Sequence, residues 1–198
     1  MTGHDHPPTT DPIDIGEKAP PFPELLGVDG NTYSSSMFAS KKALVILFMA
    51  NRCTTAQAYT ERIDAIQRDY ADLGVQVIAI NSDDPSRSPS ETYLEMVLVA
   101  KERNYSFPYL KDEDQAIARS YGAELTLHAF LLDQDRRVRY RGRVDDSPNP
   151  GFVRSNDLRN ALDDVLAGKE VRVKETRPFP CGVDKFVLCP SCGSRLDL

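Results

Sequence analysis

The chain has 198 residues, 24 Lys and Arg against 30 Asp and Glu, a formal net charge of −6 and 40% hydrophobic residues. That length supports one domain with a full core, and the acidic balance argues against a general nucleic-acid or anionic-membrane binder. No apolar run approaches the length of a membrane span, and the start, MTGHDHPPTTDP, lacks a basic region followed by an apolar stretch, so the expectation is a cytoplasmic protein with reduced thiols.

Residues 1–21 are polar and proline-rich and read as a loosely ordered leader. GVDGNTYSSSMF then reads as a turn or hairpin into a domain over residues 22–170. ALVILFM, 43–49, is continuously apolar, as a strand covered on both faces is. From Thr54 the period becomes helical: Tyr59, Ile63, Ile66, Tyr70 and Leu73 share a face, and Gly74 ends the helix. VQVIAI, 75–80, is a second buried strand. Ser88 as N-cap, Pro89 at the first helical position and Glu91 completing a capping box predict a helix over 89–103.

FPYL is a short extended piece, and Asp112 with Gln115 opens a short helix that runs to Tyr121. HAFLLD and VRYRGRV, joined by QDRR, have hairpin spacing. Ser155 to Ala167 forms the last helix, with Leu158, Ala161, Leu162, Val165 and Leu166 inward and Gly168 as the stop. Residues 171–198 form a cysteine-containing tail, and the chain has no internal repeat. Strand–helix–strand units followed by a hairpin and a helix predict an α/β fold, a mixed central sheet with helices on both faces.

Chemistry concentrates at the four cysteines, Cys53, Cys181, Cys189 and Cys192. Cys53 falls where the first strand meets its helix. A thiol in the first helical turn feels the positive end of the macrodipole and unpaired amide donors, and both favour thiolate, the nucleophile of disulfide exchange and peroxide reduction. Arg52 adds positive charge if its side chain turns inward. In PFPCGVDKFVLCPSCGSRLDL, Cys189 and Cys192 form a CxxC beside a proline and a glycine. Two chemistries fit. One is a redox pair; the other is a zinc site of Cys181, Cys189 and Cys192, with a fourth ligand from Asp184, a histidine or a second chain.

Arg137, Arg139, Arg141 and Arg143 alternate with apolar or small residues, so at strand period two all four project from one face. A solvated edge strand guarded by charge is the plainer reading, a docking stripe for anions the alternative. His4 and His6 belong to the polar leader.

The stretches LFMANRCTTAQAYTERIDAIQRDY, GVQVIAINSDDP, FPYLKDEDQAIARSYGA, FLLDQDRRVRYRGRVDD, DLRNALDDVLAGKEV and ETRPFPCGV, in that order over roughly residues 15–185, resemble the redoxin branch of thioredoxin-like proteins (alkyl hydroperoxide reductase/thiol-specific antioxidant), and within it a bacterial subgroup whose active stretch reads Cys-Asn-His-Cys-Pro-Tyr. The resemblance implies a thioredoxin-like fold with the redoxin inserted helix and a thiol-dependent oxidoreductase, acting on a protein disulfide or a small peroxide and reset by a reducing thiol partner. The family's first cysteine falls at Ala50 and its second at Cys53; the proline after it is Thr54, and the proline of its Thr-Pro is Leu127, after Thr126. The peroxiredoxin pattern Pro-x-x-x-Thr-x-x-Cys meets Ile46 and Ala50 instead.

Cys181 matches the family's tail cysteine. The expected mechanism has Cys53 as attacking thiolate, resolved by Cys189, Cys192 or Cys181, with Arg52, Thr126 and His128 supporting it and no cofactor. In this fold His128, just after Leu127, is expected near Cys53. The alternative is a catalytically silent binding protein with a zinc-stabilised tail, motivated by the losses at Ala50 and Leu127.

Overall fold

The computed structural model describes residues 12–123 and 125–179. Cys181, Asp184, Cys189, Cys192, His4 and His6 lie outside the described residues. Among the described residues one sheet runs in the order β2-β1-β5-β4-β3-β6-β7. Its strands are β1 (Leu25–Gly27), β2 (Thr32–Tyr33), β3 (Ala43–Phe48), β4 (Val75–Asn81), β5 (Tyr109–Lys111), β6 (Ala129–Leu132) and β7 (Val138–Gly142). The helices are α1 (Thr54–Tyr70), α2 (Tyr93–Arg103), α3 (Ala116–Tyr121) and α4 (Asp157–Leu166). β3, β4 and β5 are parallel neighbours, and every other pairing is antiparallel.

The unbroken apolar run of β3 is explained by its place: it pairs with β4 on one side and β6 on the other, and all six residues are buried. Val45 and Leu47 face a core built with Tyr59, Ile63 and Ile66 of α1, Met96 of α2 and Leu158 and Leu162 of α4. Leu44, Ile46 and Phe48 face a second core closed by Phe22, Phe38 and, from α3, Ile117, Ala118 and Tyr121. Helices therefore cover both faces of a mixed sheet.

Three local expectations are corrected. α2 begins at Tyr93, with Thr92 as the cap that accepts the Glu95 amide at 3.4 Å. Pro89–Glu91 is a single 3₁₀ turn, and Ser88 makes no side-chain cap because Glu91, the intended partner of its capping box, is turned into the protein. Leu73 is 51% exposed: α1 stops at Tyr70 and tightens into a 3₁₀ turn that swings Leu73 off the apolar face before Gly74 reverses the chain at φ 90°.

The four arginines do not share one face. A register shift at Leu131/Leu132 breaks the alternation, so Val138 packs in one core and Tyr140 in the other. Arg139 and Arg143 pair with Asp133 and with Asp157 of α4, while Arg137 and Arg141 donate to backbone carbonyls of Gly16 and of Pro12 and Ile13. The outer edge of β7 is not solvated either. Lys18 bridges Arg137 antiparallel, and Glu175 bridges Arg141 in parallel. Residues 13–19, expected to be part of a loose leader, are held by bonds such as Gly16 N–H to Val138 O at 2.7 Å and Ala19 N–H to Arg136 O at 2.8 Å.

Candidate thiol site

β3 delivers the chain to the carboxyl end of the parallel strands, where open α/β sheets place their ligands. The loop after it is fixed from both sides. Met49 donates to Ile80 O at 2.8 Å, and Phe48 O accepts from Leu127 N–H at 2.6 Å. Cys53 is then the N-cap of α1, with extended backbone (φ −64°, ψ 113°). Its Sγ accepts the Ala56 amide at 3.5 Å, a sulfur taking the role of a capping oxygen. The side chain is partly buried against the α1/α4 core. The thiol thus sits at the positive end of a 17-residue helix with one amide aimed at it.

The expected supporting residues are dispersed. Arg52 is exposed; its backbone, not its guanidinium, is engaged at the site. Thr126 is buried, and among the described residues its Oγ1 has no hydrogen-bond partner. Leu127, in place of the family proline, is buried with φ 62°, a left-handed conformation that an L side chain enters only under constraint. Here the constraint is the short bond to Phe48 O. His128 is buried, its ring 4.3 Å from that of Phe130 and tilted by 36°, in the core on the other face of the sheet from the one Cys53 packs against. Burial, with Arg141 near, pushes its pKa down to about 4, so the imidazole is neutral at physiological pH.

What the sequence reading missed is the polar cluster under the loop. Glu91 Oε2 accepts the Asn51 amide at 2.7 Å and Asn81 Nδ2 at 2.8 Å, and Oε1 accepts the Arg52 amide at 3.0 Å. Asn51 Nδ2 donates to Ser90 O at 2.8 Å, and its Oδ1 accepts from the Tyr109 hydroxyl at 2.9 Å. Asn81 Nδ2 also reaches Tyr109 Oη at 3.0 Å. Lys111 Nζ, buried, donates to Asn81 Oδ1, Asp83 O and Glu91 O, and burial lowers its pKa. The available signal was positional: Asn51, Asn81 and Lys111 are polar residues just where three neighbouring apolar strands end.

A cavity of about 550 Å³ lined by Phe22, Leu44, Ile46, Tyr121, Leu132 and Arg136 lies on the opposite face, away from the thiol. Among the described residues no group of three or more His, Cys, Asp or Glu is arranged to hold a metal ion.

A mixed sheet with parallel strands at its centre, helices on both faces and a cysteine capping the first helix after the central strand define a thioredoxin-like protein. Residues 14–162 match the model of the redoxin family, and the chain belongs to that family. It is 36% identical to a hypothetical protein from Sinorhizobium meliloti 1021, covering 87% of this chain and 95% of that one with a TM-score of 0.80. An uncharacterized conserved protein from Geobacillus kaustophilus is also 36% identical, over 87% and 92% of the two chains, with a TM-score of 0.81. A thiol:disulfide interchange protein from Chlorobium tepidum TLS shares the fold at 18% identity, 78% and 99% coverage and a TM-score of 0.60. No curated protein matches the chain.

Proposed function

We propose that this redoxin is a thiol-dependent oxidoreductase in which Cys53 is the attacking thiolate and a cysteine of the tail resolves the intermediate. The observation that carries the reading is the Ala56 amide directed at Cys53 Sγ from the helix start. With a disulfide substrate, Cys53 thiolate attacks one sulfur, forms a mixed disulfide and expels the other sulfur as thiolate. A tail thiolate then attacks Cys53 Sγ, releasing the second substrate thiolate and leaving a disulfide between Cys53 and the tail. With a peroxide, the thiolate takes one oxygen, an alcohol or water leaves, and the resulting sulfenic acid condenses with the tail thiol to give the same disulfide and water. A small thiol or a protein dithiol returns two electrons and resets the enzyme. No cofactor enters these steps, and a reducing, cytoplasmic setting suits them.

Support for a tail resolver comes from Phe179, whose ring lies 5.9 Å from that of Tyr59 on α1. Tyr59 is six residues into the helix from Cys53, about 9 Å along its axis. Cys181 follows Phe179 by two residues, a span of up to about 7 Å before its side chain is counted. Cys189 and Cys192 have still longer reach.

The deciding experiment is turnover of insulin disulfide and of hydrogen peroxide by wild type and Cys53→Ser. Activity in the first and none in the second supports the reading; equal behaviour removes it. The alternative, a silent binding protein with a zinc-bound tail, is tested alongside by metal analysis: about one zinc per chain with no turnover favours it.

A further inference from the structure

A carboxylate buried next to a nucleophilic sulfur acts against it: it disfavours the thiolate that the helix terminus favours. Glu91 is a buried carboxylate bonded to the amide of the residue before Cys53. It is 2% exposed, and its bonds come from neutral donors, the amides of Asn51 and Arg52 and the side-chain amide of Asn81. Arg52 is the residue before Cys53. An ionised carboxylate is acceptor-only, so all three donors fit it and no proton is left over. The two captured amides belong to the two residues just before Cys53. The sulfur itself accepts the Ala56 N–H.

Resting on the reading of Cys53 as the reactive thiol, we propose that Glu91 is its positioning residue: the carboxylate clamps the two residues before the cysteine and sets a negative charge against the helix dipole. The clamp takes over from the covalent and steric restraints that the chain lacks at Ala50 and Thr54. Tyr109 and Lys111 brace it, the first through Asn51 and Asn81, the second through Asn81 and the Glu91 carbonyl. The charge opposes the helix dipole, and its removal tips the balance toward thiolate.

The test uses the full chain with ¹³Cβ-labelled cysteine, the Cys53 signal being assigned by its loss in Cys53→Ser. Its chemical shift is followed against pH in wild type, Glu91→Gln and Glu91→Asp, together with hydrogen exchange at the Asn51 and Arg52 amides. Glutamine offers one acceptor where the site needs two, so exchange at both amides rises about tenfold or more. The ionisation curve of Cys53 moves to lower pH by about half a unit or more once the charge is gone. Aspartate, which keeps the charge but withdraws the oxygens, raises exchange and leaves the curve near that of wild type.

A Glu91→Gln curve superimposed on wild type overturns the proposal, as does an Asp curve displaced as far as the Gln curve. Should Glu91→Gln not fold, unchanged exchange in Glu91→Asp overturns it alone. Neither readout involves turnover, so a protein inactive on disulfides and peroxides fails the preceding reading and not this one.

Discussion

Phe179 rests on Tyr59, ring centroids 5.9 Å apart and planes tilted by 41°. Tyr59 is itself fixed: its hydroxyl donates to Asp145 at 2.7 Å, and the Arg62 guanidinium lies 3.8 Å above its ring. Burial beside the Asp145 carboxylate holds that phenol well above its ordinary pKa and therefore neutral. The segment that precedes Cys181 is thus anchored on the helix that carries Cys53. Phe179→Ala is expected to leave the alkylation rate of Cys53 within about twofold while slowing formation of the tail disulfide about tenfold, since losing the contact lowers the effective concentration of the resolving thiol. Stopped-flow oxidation with quenched mass analysis separates the two steps.

Ala50 is three residues ahead of Cys53 in the loop that Glu91 and Leu127 fix. Ala50→Cys is expected to restore a vicinal pair that closes its own disulfide. Insulin reduction then becomes independent of the tail, and serine at Cys181, Cys189 and Cys192 no longer diminishes it. The wild-type background should lose most activity under the same triple change.

Tyr109→Phe removes one hydroxyl that serves both Asn51 and Asn81 in a buried site. Leaving those groups short of a partner is expected to cost about 1–3 kcal/mol, read as a lower urea midpoint at unchanged m-value. The neutral phenol is favoured throughout, because burial raises its pKa well above the ordinary value, so the loss should be the same at pH 6 and pH 9.

His128 makes stability depend on acid. Its folded-state pKa is about 4 against 6.5 for the free imidazole. On acidification the unfolded chain takes up this proton first. The stabilising contribution is complete above about pH 6.5 and falls away between there and about pH 4, by up to about 3 kcal/mol. His128→Leu, which keeps an apolar contact to Phe130, should flatten that part of the urea-midpoint profile between pH 7 and pH 4.5.

The sheet was legible in the sequence because its signals are local. The apolar run of β3 and the helical period from Thr54 each describe burial by a single element, and both map onto the structure. Glu91 shows where such reading fails. Its spacing from Ser88 fits a capping box, but the donors at Asn51 and Arg52, some forty residues earlier in the chain, bind it instead, and long-range satisfaction of buried amides outranks a local cap. His128 failed for a related reason. Position near the thiol was inferred from its place just after Leu127 in the family fold, while the pleat directs its ring to the opposite face. The arginine stripe was misread because nothing in VRYRGRV marks the register shift.

The closure of the outer edge of β7, by Lys18 near its start and Glu175 near its end, ties the outermost strand to segments more than 150 residues apart in the chain. Such a sheet cannot close during synthesis until Glu175 has emerged behind β7. Gly142 tightens the dependence: at φ 145° it lets the backbone of Thr176 come so close that a Cβ there would meet it at 2.5 Å. A nascent chain stalled before that point would present a row of bare amides and carbonyls to its neighbours on the polysome.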